Sequence, residues 1–431
     1  MNKPLHRLLW RLHFWAGLIG APIVLFAALT GLLYVFTPQI EAWRHAELDR
    51  VVPADRLVPL DAQVIAALAA APDRTLRHVV PAWRPGDSTQ VYVSGPHEHH
   101  AGNGHDHGLP QGAIVYVNPH SGAVLGVLPE MQRIKTWAKR LHSSALQGNG
   151  WRWLLELGAS WMLVLFASGL VLWWPKGSMR AALRPSIGRG RRSWREWHVL
   201  AALLTSAVLL IVLVTGLTWS LHAGERFKQM QQALDQQAPR VPKDLKSRGE
   251  GPGLDWQAAW ERARAAHPGV SLQISAPKGP EGVWRAENFD RSQPTERFQM
   301  ALDARDGAVL FDSGWAQLPA LSRATAVGIP FHRGEFGLWN QTLLALTALA
   351  CLFSVLSGLA MWWQRRPSGR LAAPPLTRAD LRLQPWRWLL PLAAAWAYAL
   401  PVWGWSVLVL LAVEGLRLAW RQPGAGAAPA H

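Results

Sequence analysis

The sequence predicts an integral membrane protein, mainly α-helical, whose helix bundle is built from two parallel repeats and carries two small α+β modules. Three observations predict this fold: four long apolar runs, two long polar segments between them, and short motifs duplicated at a nearly constant offset. Half of the 431 residues are hydrophobic, yet the mean hydropathy is only +0.04. An average of that kind fits apolar segments diluted by polar ones.

Each apolar run has about the 20 residues that a helix needs to cross a bilayer, where a helix satisfies its own backbone hydrogen bonds. The first run contains His13 and the second one acid, Glu156, whereas the other two carry no charge. Since the first run is too long for the apolar part of a secretory signal, we interpret it as a retained anchor. The runs are Leu12 to Phe36, Trp153 to Trp174, Val199 to Leu221 and Leu338 to Trp363.

These runs set the predicted domain boundaries. The C-terminal apolar stretch is interrupted by Pro391, Pro401 and Gly404, which favours two short membrane helices or one kinked pair. In order, the segments are helix 1 (1–38), module 1 (39–150) with a His-rich insertion (97–107), helix 2 (151–175), a basic loop (176–197), helix 3 (198–222), module 2 (223–335), helix 4 (336–364), a loop (365–385), the C-terminal helices (386–420) and a disordered tail (421–431).

The charge of the chain indicates its orientation. Lys and Arg number 44 against 28 Asp and Glu, a formal charge of +16. The excess lies in the N-terminus, the 176–197 loop and the stretch after helix 4, which the positive-inside rule assigns to the cytoplasm. This placement disfavours a nucleic-acid partner. The single cysteine, Cys351, excludes an intrachain disulfide, a Cys-ligated iron–sulfur cluster, a Cys-rich zinc site and the attachment site of a c-type haem.

Each polar segment contains a predicted helix followed by predicted strands. The helices are Asp61 to Ala71 and Asp255 to His267. Asn118 to Gly122 and Asp303 to Gly307 are typical of hairpin turns. The predicted strands are Gln90–Ser94, Ile114–Val117, Ser271–Ser275, Val283–Asn288 and Arg297–Leu302.

The duplication pairs motifs at offsets of 185 to 190 residues. Because each unit crosses the membrane twice, the copies have the same orientation, related by an axis along the membrane normal. The paired Gly and Trp residues have ordinary explanations, in close helix approach and at the lipid interface. The matched features are His13 with His198, Ala28–Leu32 with Leu213–Leu217, Ser121–Leu125 with Asp306–Leu310, His142 with His332, and Ser168–Trp174 with Ser357–Trp363.

The four paired histidines are the candidate ligands. Topology assigns His13 and His198 to the cytoplasmic end of the bundle, and His142 and His332 to the other end. Two bis-imidazole sites in a helix bundle suit two b-type haems, and the Thr–Gly pairs, five turns after His13 and His198, are predicted at the depth of the second haem. The alternatives are interfacial histidines that stabilise helix ends, or a zinc or copper site, which lacks further ligands.

Two other histidine features are weaker candidates. His222 lies at the outer end of helix 3 and has no partner in the other copy, which favours an interfacial role over a ligand role. The insertion 97–107 holds five His and is more suited to adventitious or buffering metal binding than to catalysis. The chain contains no dinucleotide fingerprint, Walker loop or His-Glu-x-x-His motif.

Taken together, these motifs resemble those of the PepSY-associated transmembrane family of bacterial inner-membrane proteins. The resemblance covers residues 5–366, and the two C-terminal helices and the His-rich insertion depart from the family pattern. The motifs that carry it are Leu12–Leu18, Asn118–Gly122, Leu141–His142, Ser168–Pro175, Trp197–His198 with Thr215–Gly216, and Phe331–Gly337.

The resemblance implies two periplasmic PepSY modules on a four-helix core. Some members resemble di-haem ferric-siderophore reductases of iron uptake, which implies haem ligation by His13, His142, His198 and His332. The expected partners are the lipid bilayer, a ferric chelate or siderophore, and an electron donor that the sequence does not identify. The rival hypothesis is a haem-free, membrane-anchored PepSY protein that binds or regulates a partner. A transporter is disfavoured because the membrane helices carry almost no ionisable residues besides His and Glu156.

Overall fold

The computed structural model of the chain describes residues 3–95, 109–175, 177–188, 190–367 and 372–420. The predicted His-rich insertion and the predicted disordered tail lie outside the described residues. Two units divide the chain. The helical unit is formed by the described parts of Met1–Leu29, Trp151–Met230 and Leu346–His431, and the sheet unit by those of Thr30–Gly150 and Gln231–Ala345.

Helices make up most of the described chain. In chain order they are α1 (Lys3–Val35), α2 (Thr37–Arg44), α3 (Ala46–Asp49), α4 (Leu60–Ala69), α5 (Ile134–Ser144), α6 (Trp153–Trp173), α7 (Met179–Ala182), α8 (Arg191–Leu217), α9 (Ala223–Ala233), α10 (Trp256–Ala266), α11 (Ala320–His332), α12 (Leu338–Arg365), α13 (Arg378–Arg382), α14 (Trp386–Ala399) and α15 (Pro401–Trp420).

Within the described ranges, four helices are long and apolar enough to cross a membrane. They coincide with the four predicted apolar runs, which confirms the prediction of a membrane protein with several such helices. The C-terminal apolar stretch forms two helices, α14 and α15, of which the second begins at Pro401. Proline suits that first position because its φ is preset and its missing N–H has no helical partner there. The four spans are Lys3–Val35, Asn149–Trp173, Arg191–Leu217 and Leu338–Arg365.

The helical unit is held together by apolar contacts among its long helices. Gly158 of α6 lies directly against Ile23 of α1, where any larger side chain would overlap it. Small residues of this kind let helix backbones approach closely in a membrane, where van der Waals packing contributes to association. The two buried clusters are Ala16, Trp161, Val164, Leu217, Ala223, Leu400 and Trp403, and Val24, Ala28 and Cys351.

The sheet unit contains one eight-stranded antiparallel sheet in the order β4-β3-β2-β1-β5-β6-β7-β8. Each of the two predicted modules contributes four strands, and β1 pairs with β5 at Val79 and Ile274, so the modules share one sheet. The strands are β1 (Leu76–Val80), β2 (Thr89–Val93), β3 (Ala113–Val117), β4 (Val124–Pro129), β5 (Leu272–Ser275), β6 (Val283–Asn288), β7 (Phe298–Asp303) and β8 (Val309–Gly314).

The helices α4 and α10 lie on the same face of this sheet and cap each other. The Asp61 carboxylate accepts hydrogen bonds from the backbone N–H groups of Trp256 and Gln257, both at 3.0 Å. In return the Gln257 Oε1 atom accepts from the N–H of Leu60 at 2.9 Å. Each helix therefore satisfies free backbone donors at the start of the other. Trp260 packs against the apolar core of each half of the sheet.

Two hairpin turns have the geometry that the sequence predicts. Gly122 and Gly307 both have φ near +75°, a conformation that favours glycine. The N–H of Gly122 donates to Asn118 O at 2.8 Å, and that of Gly307 to Asp303 O at 3.2 Å. These turns join β3 to β4 and β7 to β8. The strands β1, β4 and β8 were not among those predicted from the sequence.

Candidate functional site

His13 lies on α1 of the helical unit and is half-buried. Its Nδ1 atom is 2.9 Å from the hydroxyl oxygen of Ser168 on α6. The Ser168 hydroxyl donates its own proton to the carbonyl oxygen of Val164 at 2.6 Å. Its oxygen is therefore left to accept, and Nδ1 of His13 is the donor. In the neutral imidazole that assignment leaves the lone pair on Nε2.

His198 on α8 has the same kind of support from α12. Its Nδ1 atom is 2.9 Å from the hydroxyl oxygen of Ser357 and 3.0 Å from the carbonyl oxygen of Ser354. A carbonyl can only accept, so the proton of the neutral ring resides on Nδ1. The Ser357 hydroxyl donates to the same carbonyl at 3.1 Å. Both serines are buried, at 3% exposure for Ser168 and 0% for Ser357, so these contacts are sheltered from water.

The two imidazoles are brought into one neighbourhood. His13 and His198 are close enough for their charges to interact electrostatically. Gly169 of α6 lies against the first ring, where an added Cβ would be 3.1 Å from Cε1 of His13. That distance is tighter than ordinary packing, so a larger residue at position 169 would push the ring away. The structure therefore gathers the predicted pair within the helical unit.

His142 lies on α5 of the sheet unit. Its Nδ1 atom is 2.9 Å from the hydroxyl oxygen of Thr30. A Cβ added at Gly31 would lie 3.4 Å from Cε1 of His142. The Thr–Gly pair, Thr30 and Gly31, therefore fits closely against this imidazole.

His332, the fourth candidate, is the last residue of α11 and is half-buried. The turn after it is fixed by Asn340, which is fully buried. Its amide donates to Phe331 O at 3.0 Å and its Oδ1 accepts from the N–H of Phe336 at 3.2 Å. Arg333 donates to the hydroxyl oxygen of Tyr34 at 3.2 Å. These contacts hold the end of α11 in a defined position.

His222 has an exposed side chain, and its interfacial role stays a prediction. Its backbone N–H donates to Glu156 Oε2 at 2.9 Å, and the N–H of Ala223 donates to Oε1 at 2.8 Å. Glu156 is only 2% exposed. The one acid of the apolar runs thus satisfies two backbone donors at the start of α9.

The serines that hold His13 and His198 were missed by the sequence analysis. Ser168 and Ser357 each begin a duplicated Ser-Gly motif, but the motif was attributed to helix packing and interfacial tryptophans. Each Ser-Gly motif recurs together with a duplicated histidine. That joint recurrence was the signal from which a contact between serine and histidine could have been predicted. Among the described residues no three His, Cys, Asp or Glu side chains gather as a metal site, whereas bis-imidazole ligation of haem needs only two histidines.

The donor set fits b-type haem. A haem-ligating histidine presents a neutral Nε2 while Nδ1–H is held by an oxygen acceptor. His13 and His198 are held in this form, and Nδ1 of His142 has a hydroxyl partner. In the comparisons with known proteins, the model of a family described as "PepSY-associated TM region" matches residues 10–365. No curated protein matches the chain.

Proposed function

The chain belongs to the PepSY-associated TM family, and we propose that it is a di-haem electron-transfer protein of the bacterial inner membrane. In this proposal His13 and His198 hold one b-type haem, and His142 and His332 hold the other. Bound haem supplies reversible one-electron transfer at its iron. The acceptor is iron(III) in a ferric chelate such as a siderophore, which gains one electron on the periplasmic side. The electron comes from a donor on the cytoplasmic or membrane side.

One observation carries this proposal: the hydrogen-bond partners of His13 and His198 fix the proton on Nδ1. Ser354 contributes a carbonyl oxygen, and Ser168 and Ser357 contribute hydroxyls whose own protons are engaged. Histidines that only capped helix ends would not need a fixed tautomer. A buried acceptor on Nδ1 also raises the basicity of Nε2, which strengthens it as a ligand of iron.

A duplicated architecture, in which helix, module and helix occur twice, is part of the proposal. One argument for it is that equivalent serines bind the two histidines: Ser168 follows His13 by 155 residues, and Ser357 follows His198 by 159. It is also supported by the matched turns at Gly122 and Gly307. Two copies with the same orientation would pair equivalent histidines around a common axis.

The proposed orientation places the N-terminus in the cytoplasm and the sheet unit in the periplasm. Its support is the excess of Lys and Arg in the N-terminus, in 176–197 and in 365–385, since short basic loops stay on the cytoplasmic side.

An absorption spectrum tests the proposal. The full chain, purified in detergent from cells with ample haem, is measured oxidised and then reduced with dithionite, and haem is quantified per chain. We expect two b-type haems. The variants H13A/H198A and H142A/H332A should each retain about one, and the control H222A should retain two, because its side chain is exposed.

Absence of haem from the unaltered protein would refute the proposal and return the four histidines to structural roles. The haem-free alternative, a membrane-anchored PepSY protein that binds or regulates a partner, would then be favoured. Haem present but unaffected by either double variant would refute the ligand assignment instead.

A further inference from the structure

The sheet unit brings five cationic side chains from four segments of the chain into one region. We call this set the cationic surface. Two members adjoin the proposed outer ligands: one lies one helical turn before His142 on α5, and another directly follows His332. The members are Lys139, Arg240, Arg291, Arg297 and Arg333.

Within the described residues, few acids balance these charges. Arg333 pairs with Glu335 at 2.8 Å, and Arg297 has Glu287 in its surroundings. Among the described residues, Lys139, Arg240, Arg291 and Arg297 form no salt bridge or side-chain hydrogen bond.

The cations of this set repel one another. Burial, together with the charges of Arg291 and Arg240, lowers the pKa of Arg297 from its ordinary value, although Glu287 opposes this effect. Burial and neighbouring cations, of which Arg333 is the strongest, lower the pKa of Lys139 to about 8. The Lys139 side chain is exposed to solvent. An incoming anion would relieve this repulsion.

The segment that carries Arg291 also carries an exposed aromatic ring. Phe289, two residues before Arg291 in the connection from β6 to β7, has 38% of its surface exposed. Its ring centroid is 6.4 Å from that of Tyr92, which stacks on His78 at 4.3 Å. An exposed aromatic ring in the same segment as a cation suits a ligand that is both anionic and aromatic.

We propose that the cationic surface binds a ferric chelate of net negative charge, with iron held by catecholate oxygens, rather than a neutral or cationic hydroxamate chelate. This inference rests on the proposed function, since it names the class of its electron acceptor. A lipid phosphate would share the negative charge. The large chelate is favoured because the cations come from four segments and because an exposed aromatic ring, Phe289, lies two residues before Arg291.

Binding is tested with gallium(III) chelates, because gallium(III) has the charge of iron(III) but is not reduced under these conditions. The full chain in a neutral detergent is titrated calorimetrically with a hexadentate gallium tris-catecholate of charge −3 and with a neutral gallium trihydroxamate. We expect the tris-catecholate to bind at least about tenfold more tightly, since several close charges favour it.

Variants locate the site. R291Q/R297Q should weaken tris-catecholate binding at least about tenfold, whereas R291K/R297K, which keeps the charge, should largely preserve it. The matched control R262Q/R264Q removes two cations from α10, which packs on the opposite face of the sheet, and should leave binding unchanged. Melting temperatures of all variants confirm that they are folded.

Equal binding of both chelates, or no effect of R291Q/R297Q, would overturn the inference. So would loss of tris-catecholate binding in nanodiscs of phosphatidylglycerol but not of phosphatidylcholine, which would identify a lipid headgroup site. Haem is quantified on the same samples. If the protein holds haem but binds no chelate, the inferred binding site is wrong and the proposed electron-transfer function stands. If it binds the chelate but holds no haem, the binding site stands and the proposed function is wrong.

Discussion

Arg133 and Arg297 are two partly buried arginines of the same sheet unit, and their surroundings are opposite. Arg133 contacts the carboxylates of Glu41 and Asp49 and donates to the hydroxyl oxygen of Tyr116 at 2.9 Å. Burial opposes its charge, but these neighbours raise its pKa above the ordinary value. Arg297 has its pKa lowered by burial and by other arginines. A satisfied charge stabilises the fold, whereas an unsatisfied one is available to a ligand.

The largest expected effect is on stability. Arg133→Met leaves two carboxylates without their cation and should cost about 3–5 kcal/mol. For a unit of this size the melting temperature should fall by roughly 6–20 °C. Arg297→Met should leave it unchanged or raise it slightly, because it removes a repelled charge. Thermal unfolding of the full chain in detergent, followed by circular dichroism, measures both.

A rescue variant isolates the cause. Combining Arg133→Met with Glu41→Gln and Asp49→Asn removes the stranded charges and should restore more than half of the loss. Equal destabilisation by Arg133→Met and Arg297→Met would contradict the comparison, since it would mean that Arg297 is also engaged by the fold.

Glu156 extends the comparison to the helical unit, where a buried acid is satisfied by backbone N–H groups instead of an arginine. Glu156→Ala leaves the donors of His222 and Ala223 without this acceptor, at a cost of about 2 kcal/mol or more. Glu156→Gln retains one acceptor oxygen and should cost about half as much. Heat-induced aggregation in detergent ranks the variants. His222→Ala is the control, because only its backbone takes part, and a loss as large as that of Glu156→Ala would contradict the capping role.

The sequence predicted the elements whose signal is local. Each membrane helix is one apolar run, and β6 has the predicted bounds, Val283–Asn288. Strand β1 was missed because Arg77 and His78 interrupt its apolar pattern. They are tolerated there because Leu76 and Val79 are the residues of this strand that pack against the apolar core, whereas Arg77 is exposed and His78 is half-buried. The joining of both modules into one sheet depends on a pairing between β1 and β5, and no local pattern encodes it.

The candidate site, like the fold, was predicted from the sequence only in part. The duplication singled out the histidines, because equivalent residues recur at offsets of 185 to 190 residues. The duplication did not predict that Ser168 and Ser357 bind these histidines. A hydrogen bond between two helices depends on how each helix is rotated about its axis, and the sequence does not give that rotation. A sequence also does not reveal that the Glu156 carboxylate accepts hydrogen bonds from backbone N–H groups, because such donors are not marked by any residue type. The surplus charge around Arg297 likewise emerges only when distant segments are brought together.

The third prediction concerns the unsatisfied charges and their pH dependence. Lys139 has a pKa of about 8, so it is mostly charged at pH 7 and neutral at pH 9. The charged groups around it are Lys135 and Arg140 on its own helix, and Arg291, Arg333 and Glu335 on other segments. Raising the pH from 7 to 9 should weaken gallium tris-catecholate binding about fivefold, the loss of roughly 1 kcal/mol. Lys139→Arg should abolish the dependence, and an unchanged pH profile in that variant would exclude Lys139 as its source.

The smallest expected effect concerns the two histidines of the helical unit. Ser168→Ala and Ser357→Ala each remove one hydrogen bond from Nδ1–H, while a backbone partner remains, from Leu165 for His13 and from Ser354 for His198. Haem should be retained. A less basic imidazole favours iron(III) less, so the reduction potential of that haem should rise by roughly 20–60 mV, the equivalent of one modest hydrogen bond. Ser160→Ala is the control, because its hydroxyl binds only Glu156 O. Potentiometric titration measures the shifts, and unequal shifts for the two serines would show that the two histidines, despite matched contacts, are not equivalent ligands.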